Sequence, residues 1–412
     1  MGEKIENILK YFIYAFPLLL LTGPFLPDLI LSISVILFLY IIFKNKEFYI
    51  FKNLYTKIFL FFLIYILFRS IFTFDSLSLR PGIFYFRFGI FSLAIFYLLK
   101  KEILNIKIFN YILCIIVFLL CIDASIQYLT GKNILGYELV HPERVSSFFN
   151  DELVMGAFST RIFLLIVPLI FYLKYKNKYI FSYFALALIS YLVLLSAERT
   201  AMALLIMFIF GFVLFLPIKN NSKILVAICI TILFSIFFYF NESSRNRIIH
   251  KTLITFSYDN FKYNSHIFST MHTSHILTGI EMFKDNYFFG KGPKMYRKVC
   301  DDKEFEKFRV GDHSCTAHPH NILAQFLAET GIIGLIFLII FYFKLTKILI
   351  QNIFRRKRSE NNFTIIMLTS CVFLNFFPFL PYGNFFNNWL SMISYLPIPF
   401  LMFIYSSSGN ND

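Results

Sequence analysis

An all-helical protein that crosses a membrane about twelve times is what this sequence predicts, and three observations predict it. The 412 residues are 58% hydrophobic and 20% aromatic, with 57 phenylalanines. Apolar runs of roughly 20 residues, the length a helix needs to cross the hydrocarbon, recur from end to end. The alternating apolar and polar period of a membrane barrel is missing, and in lipid only helices or closed barrels satisfy their own backbone.

In chain order, the opening "MGEKIENILKYFIYAFPLLLLTGPF" has the charged start and apolar middle of a signal peptide. Further apolar runs follow at once, so it is expected to remain as the first helix, at 8–22. The next eight are expected at 28–43, 57–73, 83–99, 107–129, 157–173, 179–197, 200–217 and 223–240. After a long interruption come 321–343, 363–380 and 388–406. The chain thus divides into nine helices over 1–240, one large outer loop over 241–319 and three helices over 320–412.

The links "KNKEFYIFKNLYTK", "KKEILNIK", "KYKNKY", "KNNSK" and "KLTKILIQNIFRRKRSENN" are basic and alternate with links that are not. Lysine and arginine accumulate in cytoplasmic links, so these links and both termini are expected inside. The net charge of +15 is then partly a topology signal. Its dispersal over short links argues against a nucleic-acid partner. The other face holds short loops near 74–82, 130–156 and 381–387, the long loop, and all eight histidines. Neither a Gly-rich phosphate loop nor a dinucleotide fingerprint occurs, so chemistry on that face would run without ATP.

His320 stands where the long loop meets the tenth helix, after Pro319. Half in water and half in a low-dielectric mouth, with an ordinary pKa near working pH, an imidazole there suits a general base. The plainer reading is a helix-entry histidine that hydrogen-bonds a neighbour. Asn321, Gln325 and Glu329 follow at helical spacing, so one polar stripe enters the membrane on a single face. Polar groups at that depth are costly and point to a site. Gly331 and Gly334 would let a neighbouring helix pack closely.

At this point "HPHNILAQFLAETGIIG" resembles the signature of the O-antigen ligase and O-antigen polymerase superfamily: a histidine, a small amide or hydroxyl residue, nine positions, then glycine, two apolar residues and a small one. His320, Asn321, Gly331 and Gly334 occupy those places. About twelve helices with one large periplasmic loop before the motif are what the resemblance implies. "LLSAERTAM", with Glu198 and Arg199, matches the place where the ligases carry an essential arginine.

Arg144 in "HPERVSSFFND" and Arg80 in "SLRPG" share the outer side, while Arg87 and Arg161 lie just inside helices. A lone arginine at a helix end is usually an interfacial anchor. Here the outer helix ends use arginine almost exclusively, whereas the cytoplasmic side uses lysine freely, and a guanidinium fork fits phosphate oxygens. "GIEMFKDNYFFGKGPKMYRKVC" resembles the loop segment that covers the site in this superfamily; where relatives carry an arginine shortly before it, this chain has "MHTSHILTG", with His272 and His275. His275 could substitute only if protonated.

Cys114, Cys121, Cys229 and Cys371 lie in helices, where a thiol is a small hydrophobe. Cys300 and Cys315 are both in the outer loop, an oxidising compartment, so a disulfide is the leading reading. A metal held by His313, Cys315, His318 and His320 competes with it, but the spacing is not that of a standard zinc module.

The resemblance implies an ATP- and metal-independent glycosyltransferase of the bacterial inner membrane, without cofactor, with its active site facing the periplasm. It would move O-antigen polysaccharide from undecaprenyl diphosphate to a sugar hydroxyl of lipid A core. His320 and Arg199 would be catalytic. Arg144, Arg80, Arg87, His275, Asn321, Gln325 and Glu329 would bind substrate. Direct displacement would invert the anomeric carbon. The alternatives are an O-antigen polymerase, a ligase that glycosylates protein, and a transporter of lipid-linked saccharide. The last should spread polar groups across the membrane midplane and show an inverted repeat.

Overall fold

The computed structural model describes residues 2–257, 268–308, 315–355 and 359–408. Among these residues there is no strand, and nearly every element is helical. Ten helices among the described residues are long and apolar enough to cross a membrane by length and composition. The sequence expectation was about twelve. The difference lies in Arg199–Phe215 and Glu360–Asn375, which have 17 and 16 residues and fall short of a full span. The protein is a multi-pass helical membrane protein.

Short polar residues start these helices. Asn53, Asn105, Asn321, Ser359 and Asn387 each turn a side-chain oxygen onto a backbone N–H of the first turn, which would otherwise lack a partner in lipid. Burial is uneven. Met155–Tyr172 is almost wholly enclosed, whereas Asn220–Phe240 buries no residue and stands at the periphery. Aromatic packing fills the centre: Phe62, Tyr85, Phe326, Phe385 and Tyr395 pack ring against ring over 4.7 to 6.4 Å.

Two elements depart from expectation in a way that matters for the site. The tenth helix runs over Ile322–Ile353, ten residues beyond the expected end, because "KLTKILIQNI" contains no helix breaker and still buries Leu345 and Ile348. It breaks internally at Gly331 (φ 62°, ψ −164°). The gap is filled by loop 287–292. The amide of Lys291 donates to the carbonyl of Ala328 and that of Gly292 to Glu329, while Ile332 and Ile333 donate to the carbonyls of Tyr287 and Phe288. Backbone groups released by the break are thus satisfied by loop 287–292.

From Leu54–Thr73, the Arg69 guanidinium donates to the carbonyl of Gly290 at 2.6 Å, and Tyr65 donates to that of Thr330. The expected outer loop 241–319 is therefore not a simple cover. It carries a helix, Thr270–Asp285, and locks into the membrane helices.

A cluster of histidines beside a group of arginines

Pro319 and Asn321 set up His320. Asn321 is extended and caps Ile322–Ile353 through the amide of Ala324 at 3.0 Å, so the residue before it must turn the chain, and His320 adopts left-handed backbone (φ 52°). Its carbonyl accepts from the amide of Tyr382 at 2.9 Å. Tyr382 in turn lies under the guanidinium of buried Arg161, 5.6 Å from ring centroid to carbon.

Four imidazoles meet there. The His320 ring centroid is 4.1 Å from His318, 5.2 Å from His272 and 5.4 Å from His275. His272 and His275 are three apart on Thr270–Asp285 and so share a face. Gly279 lets that helix approach: a Cβ there would stand 3.3 Å from the Ala324 carbonyl. His275 is buried, and its carbonyl accepts from the Tyr296 hydroxyl at 3.1 Å.

The sequence left the His320 pKa near its ordinary value. Burial first, and then His318, pulls it down to about 3. Burial likewise lowers His272 and His318 to about 4. At neutral pH these rings are uncharged, able to accept a proton and ill suited to replace a cation.

Arginines stand next to the rings. Arg199 opens its helix, donates to the Lys251 carbonyl at 3.3 Å and to the Thr255 hydroxyl at 3.1 Å, and lies near enough to disfavour a charged His272. Arg247, which no motif singles out, donates to the Ala197 carbonyl at 3.2 Å. It lies close enough to both Arg199 and Arg144 to make their charges costlier. Arg144 is fixed by the Leu153 carbonyl at 2.8 Å and approaches Glu198 at 3.9 Å.

The loop carrying Arg144 is pinned by buried Asp123 and Gln127. Asp123 accepts from the amide of Ile134 at 2.9 Å, and Gln127 from the amides of Ser146 and Ser147 at 3.1 and 2.6 Å. The Glu198 carboxylate receives the amides of Gly156 and Ala157, at 2.8 and 3.2 Å. Burial nevertheless pushes its pKa up to about 7, with Arg144 the largest opposing influence.

The other sequence candidates divide. Gln325 and Glu329 bond to each other at 2.9 Å, and Gln325 also ties Asn384 and the amide of Phe385. Glu329 accepts from the amide of Tyr296 at 3.2 Å, and Asn321 donates to the Pro378 carbonyl at 2.9 Å. These contacts give the polar stripe a role in fastening loop and helix ends to one another. Arg87 pairs with Asp28 at 3.1 Å and donates to Ser32 at 2.9 Å. Arg80 is exposed.

A disulfide joins Cys300 and Cys315, whose Cα atoms are 5.4 Å apart, so Cys315 offers no thiolate to a metal. The described residues hold no group of histidine, cysteine, aspartate or glutamate arranged around a metal. His266 and His313 lie outside the described residues.

The arrangement is a candidate site: neutral imidazoles with arginines alongside, reached by one broken helix. Residues 184–339 match the family model described as O-Antigen ligase. The matched stretch holds Arg199, Arg247, the disulfide and all four clustered histidines, and the resemblance to the O-antigen ligase and polymerase superfamily is borne out. The match supports an enzyme of O-antigen ligase or polymerase kind, acting on lipid-linked polysaccharide in a membrane. Comparison with curated proteins gives no match.

Proposed function

We propose that the protein is a periplasm-facing ligase that transfers O-antigen polysaccharide from undecaprenyl diphosphate to a sugar hydroxyl of lipid A core. One observation carries the reading: His320 presents a neutral imidazole inside a four-histidine cluster, beside Arg199 with Arg247 and Arg144 near it.

In this reading the acceptor hydroxyl attacks the anomeric carbon, and its proton passes to His320. The new glycosidic C–O bond forms as the bond to the diphosphate oxygen breaks, and the electron pair leaves with the diphosphate. Arg199, Arg144 and Arg247 stabilise the charge that grows there. An imidazole with a pKa of about 3 is a weak base when the site is empty. The anionic diphosphate beside the cluster favours the protonated ring, so donor binding itself raises the basicity of His320. No step draws on a metal or a nucleotide, because the glycosyl diphosphate bond carries the energy. A single in-line displacement inverts the anomeric carbon.

Purified protein, lipid-linked donor and core acceptor, with chelator and without nucleotide, test this. Polymer joined to core supports the ligase. Lengthened lipid-linked polymer with unmodified core would make the protein a polymerase, and accumulation of neither would remove the transferase reading.

A further inference from the structure

The membrane helices enclose a crevice that the transfer site does not use. It lies between Leu54–Thr73, Phe86–Lys100, Ile322–Ile353 and Ile398–Ser407, and its volume is about 140 Å³. At the end nearest the histidines Tyr65 donates to the Thr330 carbonyl. Midway, Phe62 packs on Phe326 and Phe337 at 5.9 and 5.7 Å, and at the far end Tyr55 and Lys344 share the wall. Leu54–Thr73 and Ile322–Ile353 therefore run antiparallel along it.

The void is large enough for several waters but offers them no partners. The Thr56 hydroxyl donates to Asn53 at 2.9 Å and that of Ser92 to the Tyr395 carbonyl at 3.1 Å, while most of the remaining wall is aromatic or aliphatic. Apolar cavities of this kind stay dry and take apolar ligands. Past Ile58 and Phe337 the crevice continues into a groove flanked by Phe61 and Ile64, both exposed on the lipid side. A hydrocarbon chain can enter there directly from the bilayer.

Lys344 departs from this pattern. It is the one charged side chain among the lining residues, it is partly buried, and among the described residues no carboxylate forms an ion pair with it. It stands 22 residues beyond Ile322, which is about 33 Å along a helix and slightly more than the thickness of the hydrocarbon. Its ammonium thus reaches lipid headgroup level on the face opposite His320. A lysine that only anchors a helix at the interface needs no crevice beside it; here an unpaired cation closes the end of an apolar slot.

We propose that the crevice binds a phospholipid of the leaflet opposite His320, with an acyl chain along Phe62 and Phe337 and its phosphate on Lys344. A donor tail descending from Arg199 would fill the apolar part and leave Lys344 without a partner, because the donor phosphates stay at the other face. The acyl chain would end against Phe326 and Phe385. Their neighbours Gln325 and Asn384 bond to each other at 3.0 Å, and Asn384 holds the Ala317 carbonyl at 3.3 Å, so an occupied crevice braces the segment that carries His318 and His320.

The full-length protein in detergent, stripped of lipid, can be titrated with dioleoyl phosphatidylglycerol and with dioleoylglycerol, which lacks the phosphate, and the bound lipids counted by native mass spectrometry. One phosphatidylglycerol is expected that Lys344→Gln weakens by about 10-fold or more, the loss of a charge-assisted contact, and that Lys344→Arg retains. Dioleoylglycerol should bind parent and Lys344→Gln alike. Ile58→Trp, which places a ring in the mouth, should remove both lipids, and binding that survives it would put the lipid elsewhere and overturn the site. Phosphatidylglycerol should also raise the melting temperature of the parent more than that of Lys344→Gln.

Lys57→Gln is the control, since Lys57 is exposed and lies outside the crevice wall. It should bind as the parent does. An equal loss in Lys57→Gln, or no loss in a Lys344→Gln protein of parental melting temperature, would reduce the effect to lipid gathered on a basic surface and overturn the site. Undecaprenyl phosphate that displaced the bound phosphatidylglycerol one for one would hand the crevice to the donor tail and overturn the phospholipid.

Discussion

Gly290 and Gly331 meet backbone against backbone: both have positive φ, 65° and 62°, and a Cβ on either would stand 2.7 Å from the other's amide nitrogen. The loop 287–292 thereby completes the hydrogen bonding of a membrane helix at the point where that helix breaks. His320 and the loop histidines keep their relative places because this joint fixes loop to helix.

Gly331→Ala should therefore destabilise the protein strongly. A side chain at left-handed backbone costs about 1–2 kcal/mol, and here its Cβ would also meet the Phe288 carbonyl oxygen at 2.4 Å. Gly211→Ala is the control: it lies in Arg199–Phe215 with nothing within 4 Å of its Cβ, and should be neutral or stabilising by up to about 1 kcal/mol. Melting of both variants in detergent checks this, and a Gly331→Ala protein that melts with the parent would contradict the joint.

Cys300→Ser with Cys315→Ser should lower stability by about 3 kcal/mol, the chain-entropy worth of a loop closed over a separation of 15 residues. Peptide mapping without reductant should find the linked pair in the parent. Because Cys300 packs with Tyr296, Phe305 and Met282, the loss should appear as loosening of 296–308 in hydrogen exchange before the membrane helices respond.

Much of this was legible in the sequence, for identifiable reasons. Apolar run length gave the helices, since the hydrocarbon sets how long an apolar helix must be to cross it. His320, Asn321, Gly331 and Gly334 stood out because a polar stripe and two glycines are unusual inside an apolar run. What stayed hidden depends on contacts distant in the chain. Arg247 gains meaning only where it approaches Arg144 and Arg199. The polar stripe read as substrate-facing, yet Gln325 and Glu329 bond to Asn384 and Tyr296, partners that no spacing along the helix reveals. The spacing of His272 and His275 was a usable signal for a shared helix face. The depressed pKa of His320 was not readable, because it comes first from burial and then from the charges of His318, His272 and His275, which only the fold brings together.

Acidification should destabilise the fold. The structure keeps His272, His318 and His320 neutral down to about 4, 4 and 3, whereas an unfolded histidine takes up a proton near 6.5. Between those values the unfolded chain binds more protons, so stability falls as pH falls. Glu198 works in the other direction: its carboxyl is raised from 4.5 to about 7, a contribution lost as pH rises through that window. Three imidazoles outweigh one carboxyl. The melting temperature should drop from pH 6.5 toward pH 4, and Glu198→Gln should make the drop steeper. A flat profile would mean the imidazoles are not buried.

Arg199→Lys should impair transfer almost as severely as Arg199→Ala. A lysine keeps the charge but cannot hold the Lys251 carbonyl and the Thr255 hydroxyl while also offering a paired contact to phosphate. Steady-state kinetics against donor concentration decides it, with a loss in kcat/KM of roughly 10- to 100-fold expected for one charge-assisted contact. Parental kinetics in both variants would remove Arg199 from the diphosphate site and leave Arg144 and Arg247 to hold it.

His320→Gln separates chemistry from architecture. The backbone of His320 does structural work whatever its side chain, since its carbonyl receives the Tyr382 amide and its left-handed turn delivers Asn321 to the helix cap. Glutamine preserves that backbone bond and offers a hydrogen-bonding side chain, but it cannot take a proton from a sugar hydroxyl. If His320 is the base, the variant should fold, bind lipid-linked donor as the parent does, and lose roughly 100- to 10,000-fold in turnover. Its pH profile is the second readout. Because donor binding raises the imidazole above its empty-site value, the parent rate should fall on acidification at a pH above 3, and the residual rate of the variant should lack that limb. Near-parental turnover by His320→Gln would show that the ring only packs among its three neighbours, and transfer would then rest on the arginines alone.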